Sequence, residues 1–315
     1  MQSLLAPIVF FDLFDYPLTA TEVWKFQWAG CTTSSVVQKY PALQASLYEV
    51  REALECLVQE KKIKSGNGFY FLPGREALIN IRNARHVLAY RKWHRALRVI
   101  RILRMFPFIQ MIAVANTLAY DNADEGSDID LFIVTAKGRV WTARFFVLLF
   151  LQLFGLRPTA KTRRDKICAC FFVDESHLDI SDLVLPGDPD AYLHYWIATL
   201  WPAYNPYGVY ENFFDTNAWV RKSVPNIHAI IPNTFRRVEV TSRLQRIAEW
   251  KVRLLPEKFY RRFQERHFPE AIRARLNKDT TVVANDHVLK FHTHDRREEY
   301  RRKFLERMST YDLGN

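Results

Sequence analysis

The chain has 315 residues, more than one hydrophobic core usually serves, so two or three domains are expected. Its apolar fraction of 49% and charged fraction of 25% are ordinary for a folded protein and argue against a disordered or fibrous chain. The net charge is +11, but residues 111–220 carry −6 between basic segments at 76–110 (+7) and 221–315 (+10). An acidic centre suits cations and basic flanks suit phosphates, although solvated helix faces give the same pattern.

No export or membrane segment is predicted. The N-terminus lacks the basic stretch of a signal peptide and carries Asp12 and Asp15. The longest apolar run, residues 145–154, is too short for a bilayer and predicts a buried helix. Four cysteines occur without zinc-type spacing: Cys31, Cys56, Cys168 and Cys170. We expect reduced, structural thiols and a cytoplasmic protein, with Cys168 and Cys170 on one face of a strand.

Residues 1–75 follow the element order of a winged helix-turn-helix domain. An apolar helix stops before Pro17, and a second helix has Thr19 or Thr21 as its N-cap. The polar stretch 31–45 is predicted as a loop. A third helix follows, with one apolar face made by Leu47, Val50, Leu54, Leu57 and Val58.

The "SGNG" turn after the third helix predicts a hairpin, which would be the wing. Winged helices commonly bind DNA through this helix and the wing. Here the helix is rich in acids, which repel the phosphate backbone: Glu49, Glu52, Glu55 and Glu60. A protein-contact or domain-packing role is the alternative to DNA binding.

Residues 76–108 predict a long basic helix that bridges two domains, because no Pro or Gly interrupts the helical spacing before Pro107. Its many arginines could form a solvated face. They could instead form a positive wall beside an anionic substrate, where bidentate arginine outperforms lysine.

Residues 109–135 predict a strand, a turn or short helix, a polar loop and a second strand. Alternation in the second strand places Asp128, Asp130 and Phe132 on one face. The two carboxylates are then about 7 Å apart along the strand and raise each other's pKa unless a cation lies between them. Mg²⁺ is the natural candidate because it prefers hard oxygen ligands. The alternative is an aspartate-rich loop that caps the start of a strand.

This stretch resembles a motif of the DNA polymerase beta superfamily of nucleotidyltransferases, especially its minimal bacterial type. The motif has an apolar strand, Gly-Ser, a second Gly four residues after that Ser, and Ser-Asp-x-Asp before apolar residues. The matching residues are Asn116-Thr117 at Gly-Ser, Asp121 at the second Gly, and Ser127-Asp128-Ile129-Asp130 at Ser-Asp-x-Asp. The resemblance is close here and looser across residues 110–175. The chain is also similar to bacterial proteins that join an N-terminal winged helix to such a domain.

The resemblance implies phosphoryl chemistry with two Mg²⁺ ions, an NTP as substrate and pyrophosphate as the leaving group. Asp128 and Asp130 would bind metal, while phosphate would be positioned by Asn116, Thr117 and Ser127. Asn116 tolerates the left-handed backbone of a glycine position better than most residues. Asp121 lacks the conformational freedom of the glycine that it replaces, and it adds negative charge near a polyphosphate.

The family's third carboxylate is expected from the next strand, predicted at 166–173 after a helix at about 139–155. That strand contains no acid, so Asp174 at its end is the chosen residue. If no third acid reaches the site, we expect the second metal to be weakly held and nucleotide to bind without fast transfer. Nearby cations could screen phosphate or be ordinary loop residues: Lys161, Arg163, Arg164 and Lys166.

Residues 186–315 predict a helical C-terminal domain. Segment 190–220 is aromatic and suggests core around an acceptor cleft, with a nucleobase-stacking platform as the alternative. Near the C-terminus, His292 and His294 could bind a metal or shuttle protons. The alternative is that they are structural residues at a helix entrance that Asp295 caps.

The sequence therefore predicts an α/β (α+β) protein of four units. These are a winged helix (1–75), a basic bridging helix (76–108), a nucleotidyltransferase domain with a small mixed sheet flanked by helices (109–185) and a helical domain (186–315). The predicted function is Mg²⁺-dependent transfer of a nucleoside monophosphate to a hydroxyl on a protein, RNA or small molecule. The rival is a non-catalytic nucleotide- or DNA-binding regulator, or an antitoxin-like partner of another protein.

Overall fold

A mixed six-stranded sheet with helices on both faces forms the centre of the molecule, which confirms the predicted α+β fold class. The computed structural model describes residues 2–29, 45–159, 161–187, 189–239 and 241–312. The loop predicted over 31–45 lies, apart from Ala45, outside these ranges. Within them, no helix combines the length and apolar character that a membrane span requires.

The N-terminal unit has the element order predicted for a winged helix. Its elements are α1 (Gln2–Asp12), β1 (Leu18–Thr19), α2 (Ala20–Lys25), α3 (Leu47–Gln59), β2 (Lys64–Gly66) and β3 (Phe69–Phe71). Thr19 and Ser46 are the N-caps of α2 and α3, and each forms a capping box with the glutamate three residues later. The predicted hairpin is present, since β2 and β3 pair antiparallel and β1 joins the other edge of β3.

The predicted bridging helix is α4 (Leu78–Leu103), and it contacts both neighbouring regions. Arg82 donates to Glu22 of α2 at 2.8 Å. Lys92, whose side chain is fully buried, donates to Asp165 ahead of the third central strand at 2.8 Å. None of the residues of α4 lines the cavity described below, so the described structure does not support a positive wall beside a substrate.

The central sheet has the strand order β7-β4-β5-β6-β9-β8. Its strands are β4 (Ile109–Val114), β5 (Ile129–Thr135), β6 (Ile167–Asp174), β7 (Trp201–Tyr204), β8 (Val282–Ala284) and β9 (Val288–Phe291). The short α5 (Asn116–Ala119) follows β4, and α6 (Val140–Leu153) connects β5 to β6. Because a helix separates them, β5 and β6 run parallel, while the other neighbours are antiparallel.

The C-terminal region is not a purely helical domain, because β7, β8 and β9 all belong to the central sheet. The boundary predicted after residue 185 therefore cuts through this sheet. The helices of the region are α7 (Ala191–Thr199), α8 (Val209–Thr216), α9 (Arg243–Val252), α10 (Glu257–Arg266), α11 (Glu270–Arg273) and α12 (Arg297–Asp312). One face of the sheet shares a core with α1, α7 and α12, and the other shares a core with α4, α6 and α10.

Candidate functional site

Two aspartates face one cavity at the start of β5. Asp128 precedes the strand and Asp130 is its second residue, and both line a cavity of about 290 Å³. Ile129 between them is buried in the core on the other face of the sheet. The predicted placement of both carboxylates on one face is therefore confirmed, since side chains alternate along an extended chain.

The negative charge of this pair is only weakly compensated by the described chain. Burial raises the pKa of the Asp130 carboxyl well above its usual range, and the charge of Asp128 raises it further. Asn116 opposes the shift because its Nδ2 donates to Oδ2 of Asp130 at 2.8 Å. Oδ2 of Asp128 is buried without a hydrogen-bond partner among the described residues, and Nη2 of Arg163 lies 3.5 Å away, an ion contact only. A bound cation would relieve both carboxylates.

The two positions at which the resembled family has glycine both have a left-handed backbone. The φ angle is +56° at Asn116 and +59° at Asp121. Side chains other than glycine rarely adopt this region, and Asn and Asp do so more readily than most. Asp121 does not face the cavity, and its carboxylate binds Nε1 of Trp93 at 3.1 Å and Nη2 of Arg236 at 2.9 Å. The expected repulsion between Asp121 and a polyphosphate therefore does not arise in the cavity.

The structure does not bring the hydroxyls of Thr117 and Ser127 to the carboxylates. Thr117 lines a smaller neighbouring cavity of about 40 Å³. The Ser127 hydroxyl donates to the backbone oxygen of Asp124 at 2.9 Å within its own loop. Of the three residues predicted to position phosphate, Asn116 alone lines the cavity with the aspartates.

Asp174 lies at the opposite end of the sheet from the predicted metal site. Asp130 pairs with Cys168 across β5 and β6, whereas Asp174 pairs with Thr135. The six residue steps from Cys168 to Asp174 span about 20 Å along a strand. The prediction of Asp174 as the third carboxylate is therefore wrong. The reason is topological: strands that a helix connects run parallel, so the end of β6 lies level with the end of β5 and not with its start.

Two cysteines and a histidine occupy the position where a third acid was expected, and their placement beside Asp130 was not predicted from the sequence. Sγ of Cys168 and Sγ of Cys170 are 3.1 Å apart, and Nε2 of His292 lies 3.0 Å from Sγ of Cys170. All three line the cavity with Asp130. The two thiols, predicted to be structural, therefore line the same cavity as the carboxylates. The signal in the sequence was the Cys-x-Cys spacing, which points both sulfurs to the carboxylate face once the register with β5 is known.

The two thiols differ in charge preference because they interact with each other. The pKa of Cys170 is lowered well below its usual range, first by a hydrogen bond from the Cys168 thiol and then by His292, against the effect of burial. The pKa of Cys168 is raised, because it donates that hydrogen bond and is buried. The arrangement therefore favours one thiolate, at Cys170, which is the form that acts as a nucleophile or metal ligand.

The remaining wall of the cavity is aromatic and basic. The rings of Tyr192 and Tyr300 stack with centroids 5.6 Å apart. Lys290 and Arg297 also line the cavity, and each makes an ion pair of 2.9 Å with Asp295. The aromatic segment predicted to surround a cleft thus contributes Tyr192 to it, and the basic C-terminal segment supplies cations that are already paired.

Comparisons of this chain with protein-family models, with curated proteins and with solved structures find no match. The geometry of the cavity is therefore the basis for any functional inference.

Proposed function

We propose that this chain transfers a nucleoside monophosphate from an NTP to a hydroxyl acceptor in a metal-dependent reaction. The observation that carries the proposal is the pair Asp128 and Asp130, which project into one cavity with little compensating charge. A divalent cation held by paired carboxylates can neutralise a polyphosphate and favour its cleavage. The left-handed backbone at Asn116 and Asp121 adds support, because the resembled family has glycine at both positions.

The donor set fits one Mg²⁺ ion better than two. Asp128 and Asp130 offer the hard carboxylate oxygens that Mg²⁺ prefers, and when bound the ion would neutralise and polarise a phosphate. A second ion would need another uncompensated carboxylate. Among the described residues of the cavity wall the remaining acid is Asp295, which is paired with two cations. We therefore assign a single Mg²⁺ to Asp128 and Asp130.

Other residues of the wall suit the rest of a nucleotide. The side chain of Arg163 is 70% exposed beside Asp128, where it can reach a phosphate. Tyr192 and Tyr300 present aromatic rings to the same cavity, and aromatic faces bind nucleobases by stacking. The hydroxyl of Tyr192 donates to Oδ1 of Asn116 at 3.1 Å, which fixes the amide that in turn holds Asp130.

The proposal is tested with purified chain, Mg²⁺ and each of the four NTPs carrying an α-phosphate label. NTP binding should require Mg²⁺, because the carboxylates repel a bare triphosphate. Label should pass to an acceptor as pyrophosphate is released, with acceptors drawn from proteins, RNA and small hydroxyl compounds. The double substitution Asp128→Asn with Asp130→Asn should abolish both signals. Transfer that survives this substitution contradicts the proposal.

Nucleotide binding without transfer is a second candidate, and one observation favours it. Cys168 pairs with Asp130 at the level where an acid on the neighbouring strand would complete the site. The same assay separates the candidates. Mg²⁺-dependent NTP binding with no pyrophosphate release, across all three classes of acceptor, supports the regulator.

For the N-terminal unit we propose that the partner is a protein and not DNA. The surface around α3 exposes four acids, which would repel a phosphate backbone: Glu49, Glu52, Glu55 and Glu60. We expect no binding to a random-sequence duplex at physiological salt. Binding that weakens steeply as salt is raised would contradict this expectation.

A further inference from the structure

We propose that Cys168, Cys170, His292 and Asp130 form a binding site for a Zn²⁺ ion. The site goes beyond nucleotide transfer, because three of its four donors have no role in the proposed reaction. It shares the Asp130 carboxylate with the Mg²⁺ pair and differs from that pair in its other donors, two sulfurs and one imidazole nitrogen.

Three of the donor groups cluster on neighbouring strands, and His292 contacts this cluster through Cys170. Asp130 lies on β5, both cysteines lie on β6, and His292 directly follows β9, which is the next strand in the sheet. The sulfurs and a carboxylate oxygen of Asp130 all lie within 4.8 Å of one another. Because the sheet fixes the register of these strands, the fold holds the Asp130 carboxylate and the two sulfurs together, and the His292 ring has to move closer to the other donors to complete the set.

A local irregularity in β6 lies at the second cysteine and brings Phe171 to the same side as both cysteines. The register of β5 and β6 shifts between the pairs Asp130–Cys168 and Phe132–Phe171, so β6 has one extra residue there. As a result Cys168, Cys170 and Phe171 all line the cavity, while Ala169 packs into the opposite core. Bulges of this kind commonly re-aim a side chain beside a functional site.

The separations suit a tetrahedral metal site after a small expansion. In such a site with Zn–S bonds of about 2.3 Å, the two sulfurs are roughly 3.8 Å apart. The sulfurs of Cys168 and Cys170 are 3.1 Å apart, and Nε2 of His292 is 3.0 Å from Sγ of Cys170. The two sulfurs would have to separate by less than about 1 Å to hold an ion between them, and rotation of the His292 side chain would bring its ring to the same ion.

The chemistry of the donors selects the metal. Thiolate and imidazole ligands suit zinc, while Mg²⁺ and Ca²⁺ take oxygen ligands almost exclusively. Supporting contacts hold two of the ligands in place, as is usual around metal sites. Asn116 donates to Asp130, and the backbone N–H of His292 donates to the carbonyl of Thr281 at 3.1 Å.

The test uses metal-stripped, full-length chain under a phosphine reductant without oxygen and without nucleotide. Co²⁺ serves as the spectroscopic probe for zinc. One equivalent of Co²⁺ should give thiolate-to-cobalt charge transfer in the near ultraviolet and the strong visible bands of a tetrahedral ion. Added Zn²⁺ should remove both sets of bands, whereas excess Mg²⁺ should not. Wild-type protein that develops no thiolate band at one equivalent overturns the proposal, whatever its transferase activity.

Variants assign the ligands. Cys168→Ser and His292→Gln should each weaken Co²⁺ binding by at least about 100-fold, the upper range for loss of a residue that merely supports a ligand. Cys56→Ser is the matched control, because this thiol is exposed on α3. Asp128→Asn should leave the cobalt spectrum unchanged, which separates this site from the proposed Mg²⁺ pair. Circular dichroism and the unfolding midpoint confirm that each variant is folded. A Cys168→Ser protein that is folded and binds Co²⁺ like the wild type also overturns the proposal.

Discussion

At the two ends of the paired strands β5 and β6, the surroundings shift the pKa of a buried carboxylate in opposite directions. At one end, Asp130 lies beside Asp128, and burial together with that neighbouring charge raises its pKa. At the other end, burial of Asp174 also acts to raise its pKa. There, hydrogen bonds from the backbone N–H of Gly138, from Ser176 and from His287 outweigh burial and lower it.

The difference separates a ligand site from a structural acid. Both oxygens of Asp174 are occupied by donors of the chain itself, so this carboxylate ties together the segments that follow β5 and β6. The carboxylates of Asp128 and Asp130 have one donor between them within hydrogen-bond distance among the described residues, and they face a cavity. An acid at the end of a strand is therefore informative only when its partners are known.

The largest effect is expected on transfer activity. If the proposed function is correct, Asp128→Asn should lower the rate of label transfer on the order of 10³-fold, because the loss of a metal-binding carboxylate costs several kcal/mol in the transition state. Asp174→Asn, assayed well below its unfolding midpoint, should retain the wild-type rate. Equal losses in the two variants would remove the contrast between the two ends.

The free energy of unfolding should show the reverse contrast, with the larger loss on substitution of Asp174. Asp174→Ala should lower the free energy of unfolding by about 3 kcal/mol, because it leaves the N–H groups of Gly138 and Ser176 without their acceptor. Chemical denaturation measures the change. The control is Asp182→Ala, at an exposed position, which should stay within about 0.5 kcal/mol of the wild type. A loss at Asp174 no larger than at Asp182 would argue against its structural role.

In metal-free protein, Asp130→Asn should increase the free energy of unfolding by about 1 kcal/mol, because it removes a charge that burial and Asp128 disfavour. Asparagine keeps an oxygen that can accept the hydrogen bond from Asn116. The measurement is denaturation in the presence of a chelator. A destabilisation comparable with that of Asp174→Ala would mean that Asp130 is a structural acid as well.

The smallest effect concerns the pH dependence of stability. The folded-state pKa of Asp174 lies below the unfolded value of about 3.9. Its ionised form therefore stabilises the fold fully above about pH 4, and this contribution is lost as the pH falls through the lowered folded-state pKa. The stability difference between the wild type and Asp174→Asn should accordingly be constant at neutral pH and shrink in acid. A difference that grows on acidification would contradict the assigned sign.

Local patterns in the sequence were sufficient to predict most helices, the hairpin and part of the candidate site. Capping residues and apolar spacing located α2, α3, α4 and α6, and turn residues located the β2–β3 hairpin. The alternation of an extended chain placed Asp128 and Asp130 on one face. These features depend on residues a few positions apart, so the sequence contains all the information that they need.

The composition of the cavity depended on contacts that are remote in the sequence. His292 reaches Cys170 across 122 positions because β9 pairs with β6, and nothing in the local pattern of either segment indicates that pairing. The strands β7, β8 and β9 were not predicted for the same reason. Each is only three or four residues long, and pairing with neighbouring strands holds it in the extended form.

The placement of two carboxylates on one strand face follows from the sequence alone, because side-chain alternation is a local property of the backbone. Which other groups surround them depends on the tertiary structure. Parallel pairing of β5 and β6 removed Asp174 from the site, and the strand order β5-β6-β9 replaced it with two thiols and an imidazole. Strand order and register are set by long-range hydrogen bonding and by burial on both faces of the sheet, which no short stretch of residues encodes.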